Sequence, residues 1–335
     1  MIEAVIVGVG RFGQMLVDSV QGKSDRIRFV RAVARTPAKV EAYCKDKGMA
    51  LGADYAAALA DPKVKAVLLA TPHSQHTEQI VAAARAGKHV FVEKPFTLTR
   101  ASAIEAMAEC DKAKIAVGIG YNRRFMPAFR ELKRLVDSGE LGTILHVEGN
   151  ASGNLAAMPP TVWRANRAES PGGGMTSLAI HLLDAMIMLC GPIRIIDAKS
   201  SKRVMPYDVD DTTSMLLTFV SNATGYLGTV AATPFFMNLR VFGSKGWAQL
   251  TDIDTLVKAV PDPAAAARAP LASKPETVKF ENAAVSSLKD ELEAFADAAE
   301  GKKPFPIPPG EILHGVSAFQ SMLDSIRRGS PCSVD

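Results

Sequence analysis

What this sequence has little of narrows its function before any motif is read. Aromatic residues make up only 6% of the chain, and Lys and Arg gather in no long run. A nucleic-acid surface built from basic patches and stacking rings is therefore excluded. The net charge is a mild +4, and its natural use is an anionic cofactor. The four cysteines, Cys44, Cys110, Cys190 and Cys332, share no pair spacing. Neither a metal site nor a disulfide framework is expected, and a reducing compartment is. The longest apolar run, Met186–Cys190 with its flanks, is too short to span a membrane. Residues 1–10 run straight into an apolar strand with no leader-like segment before it. The expectation is a cytoplasmic protein with no membrane and no nucleic-acid partner. There is no internal repeat and no low-complexity tract.

What is present is an ordinary globular composition, 47% hydrophobic over 335 residues. That length exceeds one core, so two domains are expected, 1–120 and 121–335, with the last helix able to pack back on the first. Within 1–120, short apolar runs alternate with helical stretches: Ile2–Val7, Arg28–Ala34, Val64–Ala70, Lys88–Lys94 and Ile115–Gly120 read as strands. Such alternation predicts an α/β fold with a doubly wound, Rossmann-type parallel sheet.

The first strand runs into Gly8-Val9-Gly10-Arg11-Phe12-Gly13 and then a helix. This is the dinucleotide fingerprint in its required strand–turn–helix setting. Gly8 permits the tight turn, Gly10 lets backbone approach a pyrophosphate, and Gly13 lets helix and strand pack closely. The following helix N-terminus offers N–H donors to phosphate, with Arg11 and Phe12 at its start. After the second strand, NAD-binding proteins carry an acid for the adenine ribose. Here the residues are Arg35, Thr36 and, after Pro37, Lys39. With cations in place of a carboxylate, NADP is favoured over NAD, since Arg35 can bind a 2′-phosphate bidentately. The competing view is that Arg35 is a solvated loop charge.

Two other strands end in polar residues, Thr71-Pro72-His73 and Glu93-Lys94-Pro95. Ligands of open α/β sheets sit outside such carboxyl ends. Ser74 is the expected cap of the intervening helix, and Thr99 that of the next.

Past Tyr121-Asn122-Arg123-Arg124, helix Pro127–Ser138 begins on proline and strand Ile144–Gly149 follows. A loop-rich segment, 151–167, carries Trp163-Arg164. Gly172-Gly173-Gly174 opens a long apolar helix, Met175–Cys190, on which His181 and Asp184 share a face. The strand-rich remainder, including 225–233 and 238–243, predicts a large, mostly antiparallel open sheet. Asp208, Asp210 and Asp211 read as a solvated turn, residues 261–276 as an exposed Ala/Pro-rich loop, and Ser286–Gly301 and Gly310–Arg328 as helices.

Taken together, Gly8–Gly13, Thr71-Pro72 with His76, Ala86–Val90, Glu93-Lys94-Pro95, Asn122-Arg123-Arg124, Trp163-Arg164, and Gly172–Gly174 followed by His181 and Asp184 resemble the Gfo/Idh/MocA family. The resemblance implies a nicotinamide-dependent oxidoreductase acting on a sugar, polyol or related hydroxy compound. It implies that Lys94 and His181 flank the substrate hydroxyl. Thr71, Pro72, His73, His76, Glu93, Asn122, Trp163 and Arg164 join Lys94 as expected cofactor residues. Arg123, Trp163, Ser177 and Asp184 join Lys94 and His181 as expected substrate residues. It also implies a cis bond before Pro95 and, by analogy, a homodimer or homotetramer. No metal is expected. One departure stands out: Ser177 and Ala179 occupy the Asp and Gly positions of the family's Asp-x-Gly-x-His. The alternatives are an NAD-linked dehydrogenase of a non-sugar alcohol or cyclic diol, and a non-catalytic NAD(P)-binding sensor.

Overall fold

The computed structural model describes residues 1–260, 274–281 and 283–335. From the N-terminus the elements are β1 (Ile2–Val7), α1 (Arg11–Val20), β2 (Ile27–Val33), α2 (Glu41–Asp46), β3 (Ala50–Gly52), α3 (Tyr55–Ala60), β4 (Ala66–Leu69), α4 (His76–Arg85), β5 (His89–Glu93), α5 (Arg100–Ala113) and β6 (Val117–Gly120). There follow α6 (Pro127–Asp137), β7 (Ile144–Asn154) and a π-helical turn, Met175–Ala179, that runs into α7 (Ile180–Cys190). The remainder is β8 (Ile193–Ser201), β9 (Thr212–Phe219), β10 (Thr224–Val230), β11 (Ala232–Gly243), β12 (Trp247–Leu250), β13 (Thr255–Ala259), β14 (Glu276–Lys279), α8 (Ala283–Ala299), α9 (Pro309–Arg328) and β15 (Cys332–Ser333).

The chain forms two compact units, Met1–Asn122 with Val285–Val316, and Arg123–Ala284 with Ser317–Asp335. In the first, six strands pair in the order β3-β2-β1-β4-β5-β6, each pair parallel. β4 is buried along its whole length, as a parallel strand covered on both faces must be. The order reverses between β1 and β4, and the carboxyl ends at such a switch point are where open α/β sheets bind ligands. Thr99 caps α5 as expected, its hydroxyl accepting the Ser102 N–H. Within the same unit Phe295 of α8 packs edge-on against Phe91 of β5 at 5.6 Å between ring centres.

The second unit is built on a sheet ordered β14-β13-β12-β11-β7-β10-β9-β8-β15 among the described residues. Its one parallel pair is β10 with β7; its other pairs are antiparallel.

Several expectations need correction. α4 begins at His76 after a 3₁₀ turn, His73–Gln75, so Gln75 and not Ser74 holds the cap position. The strands expected over 225–233 and 238–243 instead divide at Ala231. Its N–H donates to the Asp211 carbonyl at 2.6 Å, one pair beyond the end of β9 and β10, and β11 starts at Ala232. Pro234 lies inside β11, where the register against β7 shifts between Ala232 and Phe236, the irregular setting a strand proline needs. The aspartate turn is solvated at Asp208, which is exposed, but not at Asp211. Arg167 forks onto Asp208 and Asp210 at 3.0–3.3 Å, and Asp211 is buried, accepting the N–H groups of Arg203 and Val204. Burial alone would raise the Asp211 pKa, but those N–H donors hold it below the usual carboxylate range. Of the loop expected over 261–276, residues 261–273 lie outside the described residues, and Glu276 opens β14.

Candidate active site

The β1–α1 turn has the shape of a pyrophosphate bed. Gly8 sits at φ +93°, and a Cβ there would lie 2.5 Å from the Ala70 carbonyl oxygen at the end of β4. A Cβ on Gly13 would lie 2.0 Å from the Gly8 carbonyl oxygen, so any side chain would push α1 off the turn. Above Gly10 nothing comes within 4 Å. Close packing on one side and open space on the other leave room for a phosphate to meet the α1 N-terminus. Arg11 is exposed and Phe12 half-buried at that end. The residues present fit a dinucleotide. Past β2, Arg35, Thr36 and Lys39 are exposed, and no described carboxylate engages their side chains.

The ends of β4 and β5 are joined by a histidine. His76 is fully buried; its Nδ1 lies 2.9 Å from the Pro95 carbonyl oxygen and 3.3 Å from that of Phe96. Its Nε2 lies 3.2 Å from the Thr71 carbonyl oxygen. The ring thus ties together the two loops that carry Thr71-Pro72 and Lys94-Pro95. Buried His73 stands edge-on to it at 5.7 Å, and the Thr71 hydroxyl donates to Gln79 at 2.6 Å. The Lys94–Pro95 peptide is cis, and Lys94 is half-buried. Glu93 pairs with Gly120 across β5 and β6, and a Cβ on Gly120 would come within 2.5 Å of Glu93 Oε1. Glycine at 120 is therefore what lets the buried Glu93 carboxylate lie over β6. Asn122 Nδ2 donates to the Ser287 hydroxyl at 3.2 Å.

In the second unit, Arg124 grips Asp184 with two parallel bonds, Nε to Oδ2 at 2.8 Å and Nη2 to Oδ1 at 2.6 Å. The fork fastens the turn Asn122–Phe125 to α7 three residues past His181. His181 and Ser177 are half-buried. The stretch expected as one α-helix starts as a π turn: the Ile180 N–H donates to the Met175 carbonyl, five residues back. Gly173, at φ +56°, leaves no room for a side chain, since a Cβ would lie 2.0 Å from the Asp210 carbonyl oxygen. The Arg164 guanidinium stacks over Trp163 at 4.0 Å.

The structure thus gathers Gly8, Gly10, Gly13, Thr71 and His76 around the β1/β4 switch point, with Lys94 on the neighbouring strand end. Arg123, Ser177, His181 and Asp184 belong to the second unit. Sequence reasoning missed the part of Gly120 beneath Glu93 and the pairing of Arg124 with Asp184. The adjacent arginines at 123 and 124 were the one signal available for the second.

A parallel sheet with this strand order and this glycine turn defines a dinucleotide-binding fold of the Rossmann type. Residues 2–121 match the oxidoreductase family with an NAD-binding Rossmann fold, and residues 129–249 match the GFO/IDH/MocA C-terminal domain. The chain belongs to the Gfo/Idh/MocA oxidoreductase family. Over 254 residues it is 31% identical to the myo-inositol 2-dehydrogenase of Thermotoga maritima, covering 72% of each chain. Over 262 residues it is 29% identical to the scyllo-inositol 2-dehydrogenase (NAD(+)) of Bacillus subtilis, covering 73% of this chain and 72% of that one. Among solved structures it resembles an oxidoreductase from Desulfitobacterium hafniense at 26% identity and a TM-score of 0.90, covering 99% of this chain and 97% of that one.

Proposed function

We propose that this protein transfers hydride between a nicotinamide cofactor and the CH–OH carbon of a sugar, polyol or related hydroxy compound, with NADP favoured over NAD. The observation that carries the reading is Lys94 at the carboxyl end of β5, in the same sheet as the dinucleotide bed at β1. When bound, the nicotinamide accepts or returns the hydride. Loss of hydride from a carbinol carbon is eased as the hydroxyl proton departs, and the His181 imidazole is assigned as its acceptor. The Lys94 ammonium orients the hydroxyl oxygen and stabilises negative charge developing on it. Thr71, Pro72, His73, Asn122, Trp163 and Arg164 complete the cofactor set, with His76 holding its two loops together. The inositol dehydrogenases among the relatives support a polyol-like substrate class.

NADP rests on Arg35 and Lys39 standing where an acid would select NAD; the NAD-linked Bacillus subtilis relative supports NAD as the alternative. Among the described residues no helix is long and apolar enough to cross a membrane, and all four cysteines are free. The cytoplasm is the compartment that suits them. Leu216 and Tyr226, paired across β9 and β10 and 59% and 39% exposed, support a homodimer or homotetramer formed through the large sheet.

The test is parallel titration with NADPH and NADH, followed by nicotinamide fluorescence. Tight NADPH with weak NADH is expected. Preference for NADH removes the phosphate site but keeps the oxidoreductase. Binding of neither removes both.

A further inference from the structure

Arg123 and Arg124 are consecutive residues of one turn, Asn122–Phe125, and their guanidinium groups are met in opposite ways. Arg124 has both of its forked bonds on Asp184. Arg123 is only 9% exposed, yet its side chain forms no hydrogen bond or ion pair with any described residue, and its Nη1 is enclosed. Burial pushes its pKa down to about 10, which leaves it charged at neutral pH. A buried cation without a counter-charge is costly to maintain and implies an anion that completes it.

The neighbouring helix is equally short of negative charge. From Met175 to Cys190 the sole acid is Asp184, which Arg124 consumes. Ser177 stands four residues before His181, at the position where the family resemblance leads one to expect an aspartate. An aspartate there would repel an anionic substrate; serine does not.

We propose that Arg123 anchors an oxyanion, carboxylate or phosphate, carried by the hydroxy substrate, so that the protein acts on an acidic sugar derivative or hydroxy acid in preference to a neutral polyol. This rests on the oxidoreductase reading above. A guanidinium offers parallel N–H donors that match a carboxylate or phosphate, a fit that neutral hydroxyls do not reproduce. The reading above assigns the cofactor's own phosphates to the Gly8–Gly13 turn and Arg35, both in the first unit.

The experiment compares kcat/KM for glucose, glucuronate and glucose 6-phosphate, and for xylose and xylonate, in wild type, Arg123→Lys and Arg123→Gln. An acidic member should exceed its neutral counterpart by at least about tenfold, the scale of a hydrogen bond to a charged group. Glucuronate against glucose 6-phosphate tells carboxylate from phosphate. Arg123→Gln should erase the preference, and Arg123→Lys should keep part of it. Neutral compounds used as well as their acids, or an acid preference unchanged in Arg123→Gln, overturns the proposal and leaves the oxidoreductase standing. Should none of these compounds turn over, calorimetric titration of the NADPH-loaded protein with glucuronate and with glucose decides. Acid binding lost in Arg123→Gln supports the anchor, and equal or absent binding of the two overturns it. Melting of the ligand-free protein adds a control. Arg123→Met should leave Tm unchanged or raise it, whereas a structural arginine would lower it.

Discussion

Arg124 and Asp184 hold each other through two bonds of 2.8 and 2.6 Å, with side chains only 8% and 6% exposed. Both members lie in the second unit, where the pair ties Arg124 to α7 three residues past His181. Replacing one member strips this fork from a charge that stays buried. Asp184→Asn should therefore lower unfolding stability by about 3–5 kcal/mol. Urea denaturation measures it, and a loss below about 1 kcal/mol, the scale of an exposed pair, would show that the fork is solvated. The double change Arg124→Met with Asp184→Leu should cost less than either single change.

Arg35→Ala should weaken NADPH binding by about 10- to 100-fold, the range of a charge-assisted hydrogen bond, and leave NADH binding alone. Lys39→Ala should act in the same direction but less, since an ammonium meets phosphate as a point charge. Equal losses for both cofactors would mean that Arg35 contacts something other than the 2′-phosphate.

Lys94→Ala and His181→Ala should each reduce kcat by about 10²- to 10⁴-fold, the span of general acid–base catalysis. Cofactor titration should still saturate in His181→Ala. Undiminished turnover in either variant removes that residue from the chemistry. An unchanged pH–rate profile in His181→Ala excludes it as the base.

Stability should fall on the acid side in a way that traces to His89. Burial lowers its pKa below the ordinary 6.5, and its Nδ1 accepts the Ala116 N–H at 3.0 Å, so the folded ring resists a second proton. His314 is also lowered by burial, with Glu311 opposing. Above 6.5 both states are neutral and neither histidine adds pH dependence. Below it the unfolded chain takes protons that the folded one refuses, so stability declines until the lowered folded values are passed. Denaturant midpoints between pH 7 and 5 should fall in wild type and fall less in His89→Gln. Parallel slopes would assign the loss to other groups.

How much of this was legible in sequence depended on the range of the interactions involved. The first sheet could be read because buried parallel strands are unbroken apolar runs and because the spacing of Gly8, Gly10 and Gly13 is fixed by local geometry. The pairing of Arg167 with Asp208 and Asp210 could not, since it joins residues some forty positions apart and nothing local announces it. Pro234 reads as the end of a strand, but tertiary pairing carries β11 through it with a bulge. His76 reads as a ligand residue from its motif. Only the fold shows its ring facing the carbonyls of Thr71, Pro95 and Phe96.

The π turn ahead of α7 has a consequence for how this helix tolerates change. A bond from residue 180 back to 175 encloses one residue more than an α-helical turn, so Met175–Ala179 behaves as a slack link between the glycine loop and the rigid helix. Removing a single residue there would let the turn tighten while Ile180–Cys190 kept its packing, rotating Ser177 about the axis by roughly one α-helical step, about 100°. The face presented beside His181 is thus adjustable by length as well as by side chain, without disturbing the core that α7 buries.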